Sequence, residues 1–105
     1  MIGIYKITNT LNNKVYIGCS KDIERRWNQH KTGYKRKGKE YGKLLYKAFR
    51  RTGIENFTFE VLEECDEADL RKRENFWIKA YNSARFGYNE LSLWEKRRKK
   101  KGRRY

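Results

Sequence analysis

Two short segments near the start of the chain place a tyrosine beside a glycine, in mirrored order. The letters GIY occupy residues 3–5, and YIG occupies residues 16–18. Glycine has no side chain, so a ligand or a second backbone can approach it closely, and two phenols beside such an opening could hold a phosphate. The alternative is that both tyrosines pack on a neighbouring element. For these two segments taken alone, we favour packing.

An arginine and the single histidine of the chain fall on one stripe of a predicted helix. The stripe, at the spacing i, i+3, i+4 and i+7, consists of Ile23, Arg26, Trp27 and His30, and it should turn inward. A guanidinium stays cationic and binds phosphate through two parallel hydrogen bonds. A lone histidine on an apolar face is usually a satisfied core residue, but the arginine one turn before His30 favours a functional site.

A carboxylate interrupts the apolar stripe of a later predicted helix. This stripe consists of Leu70, Glu74, Trp77, Ile78 and Tyr81. A buried carboxylate is costly unless it is paired or binds a metal ion. One alternative for Glu74 is a salt bridge, for which the candidate partners are Arg26, Arg71 and Arg73. The other is a ligand to Mg²⁺, which proteins often hold through one carboxylate together with water and substrate phosphate.

Three strands and three helices must position these residues. Residues 2–8 and 14–18 are rich in β-forming residues and are joined by NTLNN, which predicts a hairpin. Helices are predicted over residues 23–31, 43–52 and 68–81, and a third strand over 57–62. Ser20 and Asp22 can cap the first helix, Gly53 ends the second, and Asp66 can cap the third. The pattern predicts one small α+β domain over residues 1–94, in which residues 82–92 form an irregular closing segment.

The faces of the hairpin follow from the length of its turn. With a turn of two residues (12–13) or four (10–13), odd positions of the first strand pair with even positions of the second. Gly3, Tyr5, Tyr16 and Gly18 then share one face, and we expect both hydroxyls to face an open patch there. The opposite face, which should belong to the core, carries Ile2, Ile4, Val15 and Ile17.

The charge of the chain points to a polyanionic partner. Its 105 residues include 27 Lys and Arg against 13 Asp and Glu, a formal net charge of +14, and 15% of the residues are aromatic. Nucleic acid is the simplest partner for such a chain, and a membrane surface is the weaker alternative. No apolar run approaches the ~18 residues of a membrane-spanning helix, and no signal-peptide pattern is present.

The end of the chain is a basic tail. Residues 95–105 hold eight Lys and Arg against one Glu, so this tail should be disordered by itself and grip phosphates. Its predicted substrate-binding residues are Lys96, Arg97, Arg98, Lys99, Lys100 and Lys101.

Cys19 and Cys65 form no paired motif, and one histidine leaves too few soft ligands for a structural zinc site. We interpret both cysteines as free thiols in a reducing cytoplasm.

Five motifs in order give the chain a family resemblance. GIY, YIG, ERRWNQH (residues 24–30), RENFWI (73–78) and GYN (87–89) resemble the GIY-YIG nuclease family across residues 2–91. The nearest resemblance is to the catalytic modules of phage intron-encoded homing endonucleases. It implies a three-stranded antiparallel sheet flanked by helices, and cleavage of DNA with a divalent metal, Mg²⁺ or in substitution Mn²⁺. The matching site residues are Tyr5, Tyr16, Arg26, His30, Glu74 and Asn89.

The resemblance also implies roles for these residues. Arg26 would neutralise the phosphate, and Glu74 would hold the metal ion. Tyr5 is our choice of general base; because a phenol has a pKa near ~10, it needs a cationic setting. Tyr16 and His30 would orient water and phosphate, and Asn89 would position the third helix or a phosphate.

One position departs from the family pattern. Some relatives carry a lysine just after YIG, where this chain has Cys19; either Lys21 takes over that role, or the role is absent. Gly3, Gly18 and Lys21 complete the predicted substrate-binding set.

The expected partner is DNA, with no membrane. The protein would act in a bacterial or phage-infected cell, as a monomer or a transient dimer, and a further partner could supply specificity. A repair or branched-structure nuclease of the same family, and a non-catalytic nucleic-acid-binding module, remain as alternatives.

Overall fold

The computed structural model describes residues 1–90. The strands are β1 (Gly3–Asn9), β2 (Val15–Ser20) and β3 (Phe57–Glu64), and the helices are α1 (Ile23–Gly33), α2 (Leu44–Thr52), α3 (Leu70–Tyr81) and the single turn α4 (Ser83–Phe86). The end of the predicted closing segment, the boundary at residue 94 and the basic tail lie outside the described residues. Within residues 1–90, no helix is both long and apolar enough to cross a membrane.

The three strands form one antiparallel sheet in the order β2-β1-β3. In the β1–β2 hairpin, Tyr5 lies opposite Gly18 and Ile7 lies opposite Tyr16. The backbone N–H of Asn9 donates to the carbonyl of Lys14 at 2.9 Å, so the turn has four residues, 10–13. The predicted pairing of odd with even positions is therefore confirmed.

Each face of the sheet has its own apolar cluster. On one face, side chains of β1 and β3 pack with those of α1 and α2 in a cluster that consists of Tyr5, Ile7, Ile23, Leu45, Tyr46, Phe49 and Phe57. On the other face, Ile4, Val15 and Ile17 form a cluster against which Leu70, Trp77 and Ile78 of α3 pack. The sheet thus lies between helices, and the predicted α+β architecture with a three-stranded antiparallel sheet is confirmed.

Most predicted helix ends agree with the structure. The carboxylate of Asp22 accepts a hydrogen bond from the backbone N–H of Arg25 and so caps α1, and Gly53, at φ 94°, ends α2. The third helix differs, because a 3₁₀ turn over Glu67–Asp69 precedes its start at Leu70. The closing segment is less irregular than predicted, since it contains α4.

Candidate active site

The prediction that the Tyr5 hydroxyl faces an open patch is wrong. Its side chain is only 1% exposed. A Cβ atom added at Gly18 would lie 2.4 Å from the Cζ atom of the Tyr5 ring. The missing side chain of Gly18 therefore makes room for the Tyr5 ring and leaves no space for a ligand.

The space beside Gly3 is also filled by protein. A bulge in β3 shifts the β1–β3 pairing between Ile4 and Tyr5, and the β3 backbone lies close to Gly3. A Cβ atom at Gly3 would meet the carbonyl oxygen of Glu63 at 2.1 Å. Because both glycines permit close packing of protein atoms, their predicted role as direct substrate contacts has no support in the geometry.

His30 is completely buried between two phenols. Its Nε2 atom is 2.8 Å from the hydroxyl of Tyr5, and its Nδ1 atom is 3.0 Å from the hydroxyl of Tyr46. Burial, followed by the positive charges of Arg26 and Lys43, lowers the pKa of His30 to about 3. The imidazole is therefore neutral near neutral pH, and only one of its two nitrogens carries a proton.

Arg26 is placed inward as predicted, and its guanidinium is held by a carboxylate. It donates to the two carboxylate oxygens of Glu40 at 2.6 Å and 3.4 Å. Lys43 contacts the same carboxylate at 2.7 Å. The hydrogen bond from Arg26 is the largest influence that lowers the pKa of Glu40, to about 2, so this carboxylate is ionised.

Both motif tyrosines have raised pKa values. Burial, and then the neighbouring Tyr16, raise the pKa of Tyr5, and the charge of Arg26 offsets only part of this effect. Burial likewise raises the pKa of Tyr16, which Arg26 lowers and Glu74 raises further. Arg26 supplies the positive charge expected near Tyr5, but burial raises the pKa of Tyr5 by more than this charge lowers it. Neither phenol is ionised near neutral pH.

Tyr16 is half-buried and lies at the junction of the charged groups. The charges of Arg26, on α1, and Glu74, on α3, both influence the pKa of its hydroxyl. Tyr16 also lines a cavity of about 180 Å³ together with Lys43, Tyr88, Asn89 and Glu90. The predicted arginine and glutamate thus both act electrostatically on the predicted tyrosine.

Glu74 is half-buried on α3, and no ion pair within residues 1–90 includes it. Two of the three predicted salt-bridge partners bind other carboxylates, since Arg26 binds Glu40 and Arg73 binds Glu63. The third, Arg71, forms no ion pair with Glu74 within residues 1–90. Burial and then the neighbouring Glu74 carboxylate raise the pKa of the Cys19 thiol to about 12. The described residues contain no cluster of three or more His, Cys, Asp or Glu side chains that could hold a metal ion. A metal at Glu74 would therefore need water and substrate as its other ligands.

Asn89 is bonded to β2, whereas the two predicted roles were to position the third helix or a phosphate. Its Oδ1 atom accepts from the backbone N–H of Ile17 at 2.8 Å, and its Nδ2 atom donates to the carbonyl of Ile17 at 2.9 Å. The amide thus pairs with the outer edge of β2 as a neighbouring strand would. The hydroxyl of Ser83 donates to the same Oδ1 at 2.6 Å. The amide is thus held against Ile17, the residue between Tyr16 and Gly18.

Lys21 lies on the outer rim of the site. Its ammonium group contacts Glu67 at 3.4 Å and is largely exposed. It shares a shallow cavity of about 300 Å³ with Arg25 and Arg26. Lys21 is thus exposed on the same cavity as the predicted phosphate-binding arginine, which is compatible with its predicted role.

Three residues of the site were missed in the sequence. Glu40 binds Arg26, Tyr46 contacts His30, and Ser83 fixes Asn89. A signal existed for Glu40, which is the only acidic residue between Lys31 and Lys43. Tyr46 stands in an apolar helical stripe, and Ser83 begins a single helical turn, so nothing in the local pattern distinguishes them from structural residues.

An α/β/α domain with paired tyrosines on a hairpin, an inward arginine and a glutamate across β2 defines a nuclease catalytic domain of the GIY-YIG type. The sequence profile of the GIY-YIG catalytic domain matches residues 1–89, so the chain belongs to this family. The resemblance inferred from the five motifs is confirmed.

Individual relatives agree with this assignment. The structure is similar to that of the catalytic domain of homing endonuclease I-TevI, with a TM-score of 0.77 and 39% identity, and the match covers 88% of this chain and 100% of that one. The sequence is 48% identical over 89 residues to intron-associated endonuclease 1 of Enterobacteria phage T4. That match covers 83% of this chain but 36% of the phage protein. The chain thus spans about a third of the length of this curated relative.

Proposed function

We propose that this chain is the catalytic part of an endonuclease that hydrolyses phosphodiester bonds of DNA, in a homing or other mobile-element setting. The observation that carries the proposal is that the charges of Arg26 and Glu74, from helices on the two faces of the sheet, both influence the pKa of the Tyr16 hydroxyl. A cation for the phosphate, a carboxylate for a metal ion and a phenol for the attacking water are the groups that this hydrolysis needs. The relatives named above are endonucleases by name.

Arg26 would bind the scissile phosphate. In the free protein its guanidinium is occupied by Glu40, so a phosphate must displace that carboxylate. A phosphodiester offers two oxygens in a geometry similar to that of a carboxylate, which makes such an exchange possible without moving α1. The guanidinium also lies close enough to the Tyr5 hydroxyl to lower its pKa, so a phosphate on Arg26 would lie beside Tyr5.

Glu74 would hold a divalent cation, Mg²⁺ by preference or Mn²⁺. Its carboxylate is half-buried and has no ion-pair partner within residues 1–90, which fits an oxygen ligand for a hard cation. When bound, such an ion would stabilise the charge that develops on the phosphate and the leaving oxygen. Cys19 is next to this carboxylate, and its soft thiol is a poor ligand for a hard cation such as Mg²⁺.

The tyrosines would handle the attacking water. Because burial raises both pKa values, neither can act as a free phenolate. Tyr5 contacts the neutral imidazole of His30. Because the Tyr5 side chain is 1% exposed in the free protein, it can accept a proton from water only if the groups over its hydroxyl move when DNA binds, and if it passes its own proton to that ring. Tyr16, half-buried on the cavity, would orient the water and the phosphate.

A nicking assay tests the proposed function. Supercoiled plasmid is incubated with the wild type and with Arg26→Ala, each with Mg²⁺ and with EDTA. We expect nicking by the wild type with Mg²⁺ alone, and a loss of at least about a hundredfold in Arg26→Ala. DNA binding without nicking by the wild type under all metal conditions would support a non-catalytic nucleic-acid-binding module instead.

A further inference from the structure

A continuous chain of hydrogen bonds runs from Tyr5 to Glu40. The Tyr5 hydroxyl contacts Nε2 of His30 at 2.8 Å, and Nδ1 of the same ring contacts the Tyr46 hydroxyl at 3.0 Å. The Tyr46 hydroxyl then donates to Oε2 of Glu40 at 3.4 Å. Tyr5, His30 and Tyr46 are each at most 1% exposed, whereas Glu40 is half-exposed. The chain therefore links the buried centre of the site to its rim.

The direction of every proton in this chain follows from its two ends. Glu40 is ionised and can only accept, so the Tyr46 hydroxyl, which points to it, donates its proton there. The Tyr46 oxygen is then free to accept from His30, which requires the proton of the neutral ring to be on Nδ1. Nε2 is left as an acceptor for the Tyr5 hydroxyl.

The opposite arrangement leaves a buried donor without a partner. If the ring proton were on Nε2, it would donate to the Tyr5 oxygen, and the Tyr5 proton would need another acceptor. Within residues 1–90, the Tyr5 hydroxyl has no hydrogen-bond acceptor other than His30. Because a buried unpaired donor is costly, the Nδ1–H tautomer is the more stable one.

We propose that Tyr46 is a positioning residue, which together with Glu40 holds His30 in the Nδ1–H tautomer and keeps Nε2 available to the Tyr5 hydroxyl. Tyr46 does not touch the reacting atoms. It acts on Tyr5 through the imidazole, because the hydrogen bond that one ring nitrogen makes decides which of the two nitrogens carries the proton.

This tautomer makes the role of Tyr5 chemically possible, a consequence that rests on the proposed function. As an O–H bond of the attacking water breaks, its proton goes to the Tyr5 oxygen, and the Tyr5 proton goes to Nε2 of His30. The Nδ1 proton passes to Tyr46, whose own proton goes to Glu40, provided that Glu40 stays on Tyr46 when phosphate displaces it from Arg26; the buried ring then stays neutral. The other tautomer would present an N–H group to Tyr5 and could not accept its proton.

The tautomer can be measured directly, because His30 is the only histidine of the chain. Long-range ¹H–¹⁵N NMR spectra of ¹⁵N-labelled protein near neutral pH report which ring nitrogen is protonated, without further assignment. We expect Nδ1 to be protonated and Nε2 unprotonated in the wild type. A wild type with the proton on Nε2 overturns the proposal.

Two variants test the role of the Tyr46 hydroxyl. Tyr46→Phe keeps the ring that stacks on Phe49 but removes the acceptor of the Nδ1 proton, so we expect the tautomer ratio to move towards Nε2–H by about tenfold. Tyr34→Phe is the matched control, because Tyr34 packs on the same Phe49 ring and, within residues 1–90, forms no hydrogen bond or ring–ring contact with His30. An unchanged ratio in Tyr46→Phe, or an equal change in Tyr34→Phe, contradicts the proposal.

Kinetics on the same proteins separates this inference from the proposed function. In Tyr46→Phe we expect kcat for nicking to fall about tenfold with KM unchanged, and Tyr34→Phe to behave as the wild type. A tautomer shift with no change of kcat overturns the positioning role. If the wild type does not cleave DNA at all, the proposed function fails while the NMR result still decides the tautomer.

Discussion

The guanidinium of Arg26 and the carboxylate of Glu40 form a charged pair with a shortest contact of 2.6 Å. Glu40 is the only acidic residue in the basic stretch between Lys31 and Lys43, and it occupies the group that we assign to phosphate. The free protein thus holds Arg26 in a defined position, at the cost of a competitor that DNA has to displace.

Replacing Glu40 should therefore strengthen DNA binding. In Glu40→Ala the guanidinium is open to phosphate, and we expect the Kd for duplex DNA, measured without divalent metal, to fall about fivefold to tenfold. Glu64→Ala is the control, because it removes the same charge from an exposed position at the end of β3. An equal gain of affinity in both variants would show that net charge alone is responsible.

The two motif tyrosines should differ in stability when their hydroxyls are removed. Tyr5→Phe leaves the Nε2 atom of buried His30 without its partner, so we expect a loss on the order of 1–3 kcal/mol in the free energy of unfolding. Tyr16→Phe should unfold at nearly the wild-type temperature, because Tyr16 is half-buried. Both variants should nick plasmid more slowly, and Tyr5→Phe should lose more. Equal melting temperatures would contradict the buried contact.

Glu74 and Glu63 provide a matched pair of carboxylates. Glu63 accepts from Arg73 at 2.8 Å and from the indole of Trp77 at 2.9 Å, whereas Glu74 has no ion pair within residues 1–90. We expect Glu74→Gln to abolish Mg²⁺-dependent nicking while it retains DNA binding and the wild-type melting temperature. Glu63→Gln should lower the melting temperature and still cut. A Glu74→Gln protein that is destabilised but cuts DNA would falsify the metal-ligand assignment.

The stability of the domain should fall as the solution becomes mildly acidic. The pKa of His30 is lowered from 6.5 to about 3 in the folded protein, so between these values the unfolded chain binds the extra proton. The contribution of the neutral ring is therefore complete above pH 6.5 and is lost as the pH falls towards 3, with a limiting slope of about 1.4 kcal/mol per pH unit. Urea unfolding at about pH 7 and about pH 5 measures it. Equal free energies of unfolding at the two pH values would contradict a buried neutral imidazole.

The basic tail lies outside the described residues, and its role in DNA binding stays a prediction. Deleting residues 96–105 should weaken binding equally for all duplex sequences. Because each neutralised phosphate contributes roughly −0.9 to the slope of log affinity against log salt concentration, the slope should become several units less steep. Nicking at saturating DNA should persist. An identical salt dependence with and without the tail would exclude it from the binding surface.

The local periodicities of the sequence were enough to predict the strands and helices and to identify the main site residues. Alternation in the hairpin placed Tyr5 and Tyr16 on one face, and the helical spacing turned Arg26 and His30 inward, because a side chain's direction relative to its own strand or helix depends on near neighbours alone. The same reasoning identified Glu74 as a carboxylate out of place on an apolar stripe. The family of the chain could be predicted from these residues.

Only the tertiary structure decided how these side chains are partnered. The burial of Tyr5 over Gly18, the pairing of Arg26 with Glu40, the contact of His30 with Tyr46 and the attachment of Asn89 to Ile17 all join different elements. Such contacts depend on the conformation of loops and on the packing of the whole core, which no local pattern encodes. The sequence by itself determined which groups could do the chemistry, and the tertiary structure decided which of them are exposed, which are neutral and which must exchange a partner before DNA can bind.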